Sequence, residues 1–254
     1  MKVSFLAAQF DGLEFAYLLI CILLAIAVVA AFIAQIVVAV GYWRGNRIQN
    51  SMGLSGEAFA RKLLDENGMP DVKVKKCGIL RTLFFGNHYS LMKRTVYLRK
   101  FTIKKASVTS VAIAAQKVAL AEQHRDGDRK MIVRGRLQGL GIFAPALFIP
   151  LVAAGLLVDI FVTGSLLFTA IALVISFLFI VFAFIVTLLN IPVEKKAIAR
   201  AEEWLGTALT PEENERVKKV FRSYMVEYVL QFVVAILRVI QLILKLLLAL
   251  RRNN

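Results

Sequence analysis

Long apolar runs without a charge alternate with short polar stretches along this chain, and the run lengths decide what they are. Residues 15–40 carry no charge and are interrupted only by Gln35. Residues 142–158 and 164–189 are also uncharged, separated by a short turn that contains Asp159, and each begins near glycine or proline. About 20 apolar residues cross the hydrocarbon of a bilayer, so three membrane-spanning helices are expected. The first run is too long for the core of a signal peptide and lacks a basic segment before it. It is therefore expected to be a retained anchor.

A fourth run, residues 224–250, has a different pattern. Glu227, Gln231, Arg238, Gln241, Lys245 and Arg252 follow one another at intervals of 4, 7, 3, 4 and 7, which aligns them on one helical stripe. Such a stripe does not face lipid. Three readings stay open: an amphipathic helix on the membrane surface, a fourth span packed on a partner, or a core helix of a soluble domain.

Between these runs the periods shorten. Ser55 is placed to cap a helix whose apolar stripe is Ala58, Phe59, Leu63 and Leu64, and Asn67-Gly68 ends it. Residues 72–74 and Thr95–Leu98 alternate as short strands. A second helix begins near Ser107 and stops before Asp126-Gly127-Asp128, with Val111, Ala114, Ala115, Val118 and Ala119 as a small-residue packing face. Residues 201–205 read as a helix ending at Gly206, and Pro211-Glu212-Glu213 opens another, its acids where the helix dipole favours them. The chain contains no repeat, low-complexity tract or Gly/Ser linker.

Composition supports the membrane reading and adds an orientation. The 254 residues are 59% hydrophobic and carry a formal net charge of +15, too apolar for a soluble domain of this length. Residues 43–141 hold 20 Lys/Arg against 7 Asp/Glu, which is +13 of that charge. Lys2, Asp11 and Glu14 precede or open the first run. The positive-inside rule then puts the N-terminus and the Asp159 turn outside and residues 43–141 in the cytoplasm. Arg44, Arg47, Arg129, Lys130, Arg134 and Arg136 lie near span ends and are expected to rest against anionic headgroups. No basic motif interleaved with aromatics appears, so nucleic acid is not an expected partner.

Residues 106–124, ASVTSVAIAAQKVALAEQH, carry the frame of a zinc-peptidase helix without its ligands. An H-E-x-x-H helix sets two histidines at i and i+4 on one face to hold zinc, and the intervening Glu serves as general base. Here those positions read Gln116, Lys117 and Leu120. An amide is a poor zinc ligand, an ammonium accepts no proton, and leucine has no lone pair.

Three blocks in order carry a wider resemblance. The first is LSGEAFARKLLDENG at residues 54–68. The second runs Asn87-His88-Tyr89-Ser90, Thr95–Leu98 and residues 107–124, and the third is Ile191-Pro192-Val193-Glu194. Together they resemble the bacterial membrane-bound neutral zinc metallopeptidase family (YugP-like), of which the chain looks like a degenerate member lacking the H-E-x-x-H ligands. The family's pattern is similar to D-H-Y-D-P, V-x-L-S, A-A-H-E-V-G-H-A-I-Q-H and L-P-V-E-F in the same order. The resemblance implies that Glu194 stands where the third zinc ligand would. With no metal, Glu194 either pairs with Lys117 as a substitute link or is solvated beside Lys195 and Lys196.

The remaining chemistry is sparse. His124 lies eight residues past Gln116, about 12 Å along the helix, too far to share one coordination sphere. Glu122 and His124 are i, i+2 and point to different faces. Cys77 and Cys21 support neither a disulfide nor a Cys-rich metal site. No G-x-S-x-G elbow, P-loop, dinucleotide fingerprint or Cys-x-x-Cys occurs. Ser107, Thr109 and Ser110 sit at a helix start, where capping is the usual role. Gly135, Gly139 and Gly141 lead into the second span and read as packing positions.

The expected fold is mainly α: a multi-pass α-helical membrane protein with a small α+β zincin-like cytoplasmic domain. Its expected parts are an anchor at 1–42, a basic peptidase-like domain at 43–141 and a transmembrane hairpin at 142–190. A cytoplasmic helical insert at 191–223 and an amphipathic or transmembrane helix at 224–254 complete it. The expected function is a catalytically inactive metallopeptidase homologue with no cofactor, metal or catalytic residue. It would sit in a bacterial inner membrane, on anionic lipid, as a binding or structural subunit among other membrane proteins. The rivals are a membrane zinc metallopeptidase with a non-standard metal site using Glu194, and a lipid-binding or membrane-shaping protein.

Overall fold

The computed structural model describes residues 11–252, so Lys2 and the first ten residues of the expected anchor lie outside the described residues. Helix α1, Gly12–Gly45, contains the first apolar run. A small domain follows: α2 Gly56–Glu66, β1 Lys73–Lys76, α3 Ile79–Phe84, β2 His88–Ser90, β3 Thr95–Leu98, α4 Lys100–Lys104 and α5 Val108–Arg125. Three long elements complete the chain: α6 Arg129–Val158, joined by a π-helical turn Asp159–Thr163 to α7 Leu167–Ala208, and α8 Pro211–Arg252.

The domain is built around α5. Ser107 caps it by accepting from the Ser110 amide at 3.1 Å. Val111, Ala114, Ala115, Val118 and Ala119 have no exposed surface. The helix is buried on every side, which explains why its sequence lacks a polar face. Phe59, Leu63 and Leu64 of α2 and Val96 and Leu98 of β3 share the same core. Ser55 caps α2 from 3.2 Å, and Gly68 follows its end at φ +68°, a left-handed position glycine takes freely. Ala58, expected in the apolar stripe, is instead exposed, and Ala60 is the buried alanine. At the start of α2, a Cβ on Gly56 would stand 2.1 Å from the Thr102 carbonyl oxygen, so the close approach of α2 to α4 requires glycine.

The sheet has the order β1-β3-β2. β1 runs parallel to β3, Lys73 opposite Thr95, and β2 runs antiparallel to β3, with His88 opposite Tyr97. The first strand therefore lies one residue later than the 72–74 pattern suggests, because Val72 is drawn into the core.

Among the described residues, three helices are long and apolar enough to cross a membrane: Gly12–Gly45, Leu167–Ala208 and Pro211–Lys245. The 142–158 run forms the second half of α6. Helix α8 lies antiparallel on α1: Tyr224 adjoins Tyr42, Gln241 Nε2 meets Cys21 Sγ at 3.2 Å, and Arg251 pairs with Asp11. The polar stripe of α8 is divided. Glu227 accepts from Gln231 at 3.1 Å within the partly buried side, while Arg238 and Lys245 are exposed.

One local expectation is corrected. The apolar run 164–189 and the helix at 201–205 are one continuous helix, α7, which passes through Pro192 and Gly206. Pro192 removes one backbone donor. The surrounding turn is held by side chains of α5 and α6, including Gln123 Nε2 donating to the Val193 carbonyl at 3.1 Å. In the turn between α6 and α7, Asp159 is buried. Its carboxylate accepts from the amides of Phe168 at 3.0 Å and Thr169 at 2.7 Å and from the Thr163 hydroxyl at 3.0 Å. It thus satisfies the free amides at the start of α7. The start of α8 is a capping box, in which Thr210 and Glu213 exchange bonds of 3.0 and 3.3 Å. Glu213 also accepts from the Ser51 amide and hydroxyl, both at 2.6 Å.

Asp159→Ala is expected to lower the stability of the full chain in detergent by about 1–2 kcal/mol, the usual cost of a lost N-terminal cap, whereas Asp159→Asn loses less. Thermal unfolding of the purified variants measures the difference.

Candidate functional site

The residues singled out by the peptidase frame converge where α5 crosses α6 and α7. Glu194 has no exposed surface. Its Oε1 accepts from Arg134 Nη2 at 2.6 Å, and its Oε2 accepts from Gln116 Nε2 at 2.9 Å and Lys117 Nζ at 3.4 Å. Arg134 also donates from Nε to Asn190 Oδ1 at 2.6 Å. Asn190 and Glu194 are four residues apart on α7, so one face of that helix receives a single guanidinium. Leu120, one turn beyond Gln116, is buried in the hydrophobic core and has no hydrogen-bonding group to offer.

Of the two readings left open for Glu194, the pair with Lys117 is the one present, and Glu194 is not solvated beside Lys195 and Lys196. Arg134 departs from its expected place. It is not a headgroup-facing residue but a buried one, with the shortest contact to the carboxylate. The sequence signal was faint: Met131 and Arg134 share a face, and Met131 is also buried. Burial pushes the Lys117 amine down from the ordinary lysine value; Glu194 opposes that fall and the like charge of Arg134 adds to it.

Further links follow along α7. Arg200 grips Glu122 of α5 through two bonds of 2.9 and 3.0 Å, and Lys196 reaches Asp128 at 2.7 Å. Asn190, Glu194, Lys196 and Arg200 together tie α7 to α5 and to the start of α6.

Neither histidine joins Glu194. His88 donates from Nδ1 to the Gly86 carbonyl at 3.0 Å, and its ring stacks on Tyr97 with centroids 5.1 Å apart. Burial lowers its pKa to about 4. His124 Nδ1 lies 2.9 Å from the Tyr89 hydroxyl. Among the described residues, no three His, Cys, Asp or Glu side chains gather as a metal-holding group.

The model of the family described as "Putative neutral zinc metallopeptidase" matches residues 20–247. The chain belongs to that family. The match takes in both the domain and the long helices, and so includes every residue around Glu194. The "Putative membrane protease YugP" of Bacillus subtilis (strain 168) is 28% identical over 221 residues, covering 84% of this chain and 90% of the relative. No solved structure matches the chain.

The cluster predicts a graded response to truncation. Glu194→Ala strands two buried cations and is expected to cost the most, about 3–5 kcal/mol. Arg134→Ala removes the shortest contact and follows. Lys117→Ala leaves Glu194 with Arg134 and Gln116 and costs about 1–3 kcal/mol. Lys117→Ala combined with Glu194→Ala is expected to do less harm than the two separate losses summed. Denaturant unfolding in detergent reads all four.

His88 sets a pH dependence. Its folded pKa lies below the free histidine value of about 6.5, so the unfolded chain binds the extra proton first. Stability is expected to fall as pH drops from about 6.5 to about 4 and to level off below that. His88→Phe is expected to flatten that part of the pH profile, measured by unfolding at a series of pH values.

Proposed function

We propose that this chain is a catalytically inactive member of its family, in which a cationic pair occupies the place of the zinc ion. The observation that carries the reading is the occupancy of both Glu194 oxygens by Arg134, Lys117 and Gln116. A zinc site needs three or more lone-pair donors around the metal. Arginine offers none, the lysine ammonium offers none, and Leu120 offers none, so zinc does not fit the residues present. A glutamate at position 117 would accept a proton from water; a lysine held against a carboxylate does not.

What remains is a rigid joint between a basic domain and membrane helices, which suits a binding or structural subunit of a membrane assembly. The domain lies at one end of the long helices and the Asp159 turn and the Asp11–Arg251 pair at the other. This agrees with an inner-membrane orientation that has the domain in the cytoplasm.

Purified full-length protein is expected to carry no stoichiometric zinc by elemental analysis; about one tightly held equivalent would overturn the reading. The variant Gln116→His with Lys117→Glu and Leu120→His is expected to bind zinc weakly, because Arg134 still holds Glu194. Adding Arg134→Leu is expected to raise zinc affinity further. Orientation is tested separately. Asp71→Cys is expected to resist an impermeant thiol reagent in intact cells while Thr163→Cys reacts, and labelling of Asp71→Cys would reverse the topology.

A further inference from the structure

Helix α3 presents three apolar side chains to the outside. Ile79, Leu80 and Leu83 are 90%, 73% and 76% exposed. Positions 79, 80 and 83 share one helical face. The polar side chains of the segment turn back on the domain: the Arg81 guanidinium lies 4.1 Å above the Tyr97 ring, and the Thr82 hydroxyl reaches the Cys77 carbonyl at 3.5 Å. Folding has thus turned the polar residues inward and left the apolar ones outward, the reverse of a water-facing helix.

One contact sets the position of α3 along the long helices, and another sets that of α4. Phe85, just after α3, meets Phe143 edge-on with centroids 6.3 Å apart. Phe143 lies at the start of the apolar half of α6, where a bilayer would begin. On the other side of the domain, the Tyr42 hydroxyl at the end of α1 is 2.8 Å from Thr102 Oγ1 in α4. Phe101 of α4 is half-exposed under the Lys105 ammonium, 5.3 Å from its ring. Both short helices therefore sit at the level where the long helices leave the domain.

Charge indicates what covers this face. No Asp or Glu occurs between Asp71 and Glu122. Lys75, Lys76, Lys100, Lys104 and Lys105 are exposed in that stretch. A surface combining protruding apolar side chains with unopposed lysines complements an anionic leaflet, whose acyl region takes the former and whose headgroups take the latter. We propose that α3 dips into the anionic leaflet of the membrane that holds the long helices, with Ile79, Leu80 and Leu83 as its lipid-contacting residues. The proposal rests on those helices spanning a bilayer and does not depend on the loss of zinc chemistry.

The test uses the full chain in vesicles of phosphatidylcholine with phosphatidylglycerol, in a Cys21→Ala, Cys77→Ala background. A fluorescent thiol probe is attached singly at Leu80→Cys, at Leu83→Cys, at Ile26→Cys in α1 and at Lys62→Cys on α2. Lipid-borne nitroxide is expected to quench the Leu80 and Leu83 probes about twofold or more above the Lys62 probe, and iodide in water to quench them less. Removing phosphatidylglycerol is expected to weaken lipid quenching at Leu80 and leave Ile26 unchanged. If Ile26 is quenched by lipid while Leu80 and Leu83 behave like Lys62, the proposal is wrong and the spans stand. Leu80 shielded from both quenchers means that protein covers it, which also overturns the proposal. No lipid quenching at Ile26 would remove the spans and the proposal together. Equal quenching at Leu80 without phosphatidylglycerol would overturn the anionic component.

Discussion

A carboxylate with no exposed surface stays ionised only beside positive charge, and that constraint on Glu194 organises the junction of this protein. Glu194 lies on α7, Arg134 on α6, and Gln116 and Lys117 on α5. Satisfying one carboxylate therefore fixes three helices relative to each other. Asn190 extends the link one turn toward the apolar half of α7, and Arg200 with Glu122 extends it into the domain. Apolar packing alone would tolerate sliding of an alanine-rich α5 against α7. A carboxylate held from two sides by directional donors does not.

The elements with strong local signals were readable from sequence. Ser55, Ser107 and Gly68 marked helix ends because capping depends on the residue itself and its immediate neighbours. The buried face of α5 was readable from its small residues. The continuity of α7 was not, since Pro192 and Gly206 both signal a stop, and the side chains of α5 and α6 that hold the helix through the proline come from distant sequence. The turn at Asp159 was readable, but its role as an amide acceptor was not, because that depends on the backbone direction nine and ten residues later.

The site was half legible. Lys117 and Glu194 emerged as a pair because the peptidase frame and the resemblance placed both at one metal position. Arg134 stayed hidden within a basic cluster that membrane electrostatics explained without it. Charge near a span end has two outlets, headgroup or buried partner, and composition does not separate them. Only the crossing of α6 with α7 does, by bringing Asn190 and Glu194 within reach of one guanidinium.

Charge balance explains why the lysine stands farther from Glu194 than the arginine. In the H-E-x-x-H pattern that the sequence resembles, position 117 would carry a carboxylate; here it carries Lys117. Arg134, Lys117 and Glu194 sum to one positive charge in a buried site. The guanidinium, weakly hydrated and delocalised, bears burial better than an ammonium. It takes the 2.6 Å contact and a second bond to Asn190, while Lys117 stands at 3.4 Å, and it is Lys117 whose pKa burial pushes down. Burial thus makes a proton harder to hold on Lys117 than on a free lysine, and the residue binds helix α5 to α7.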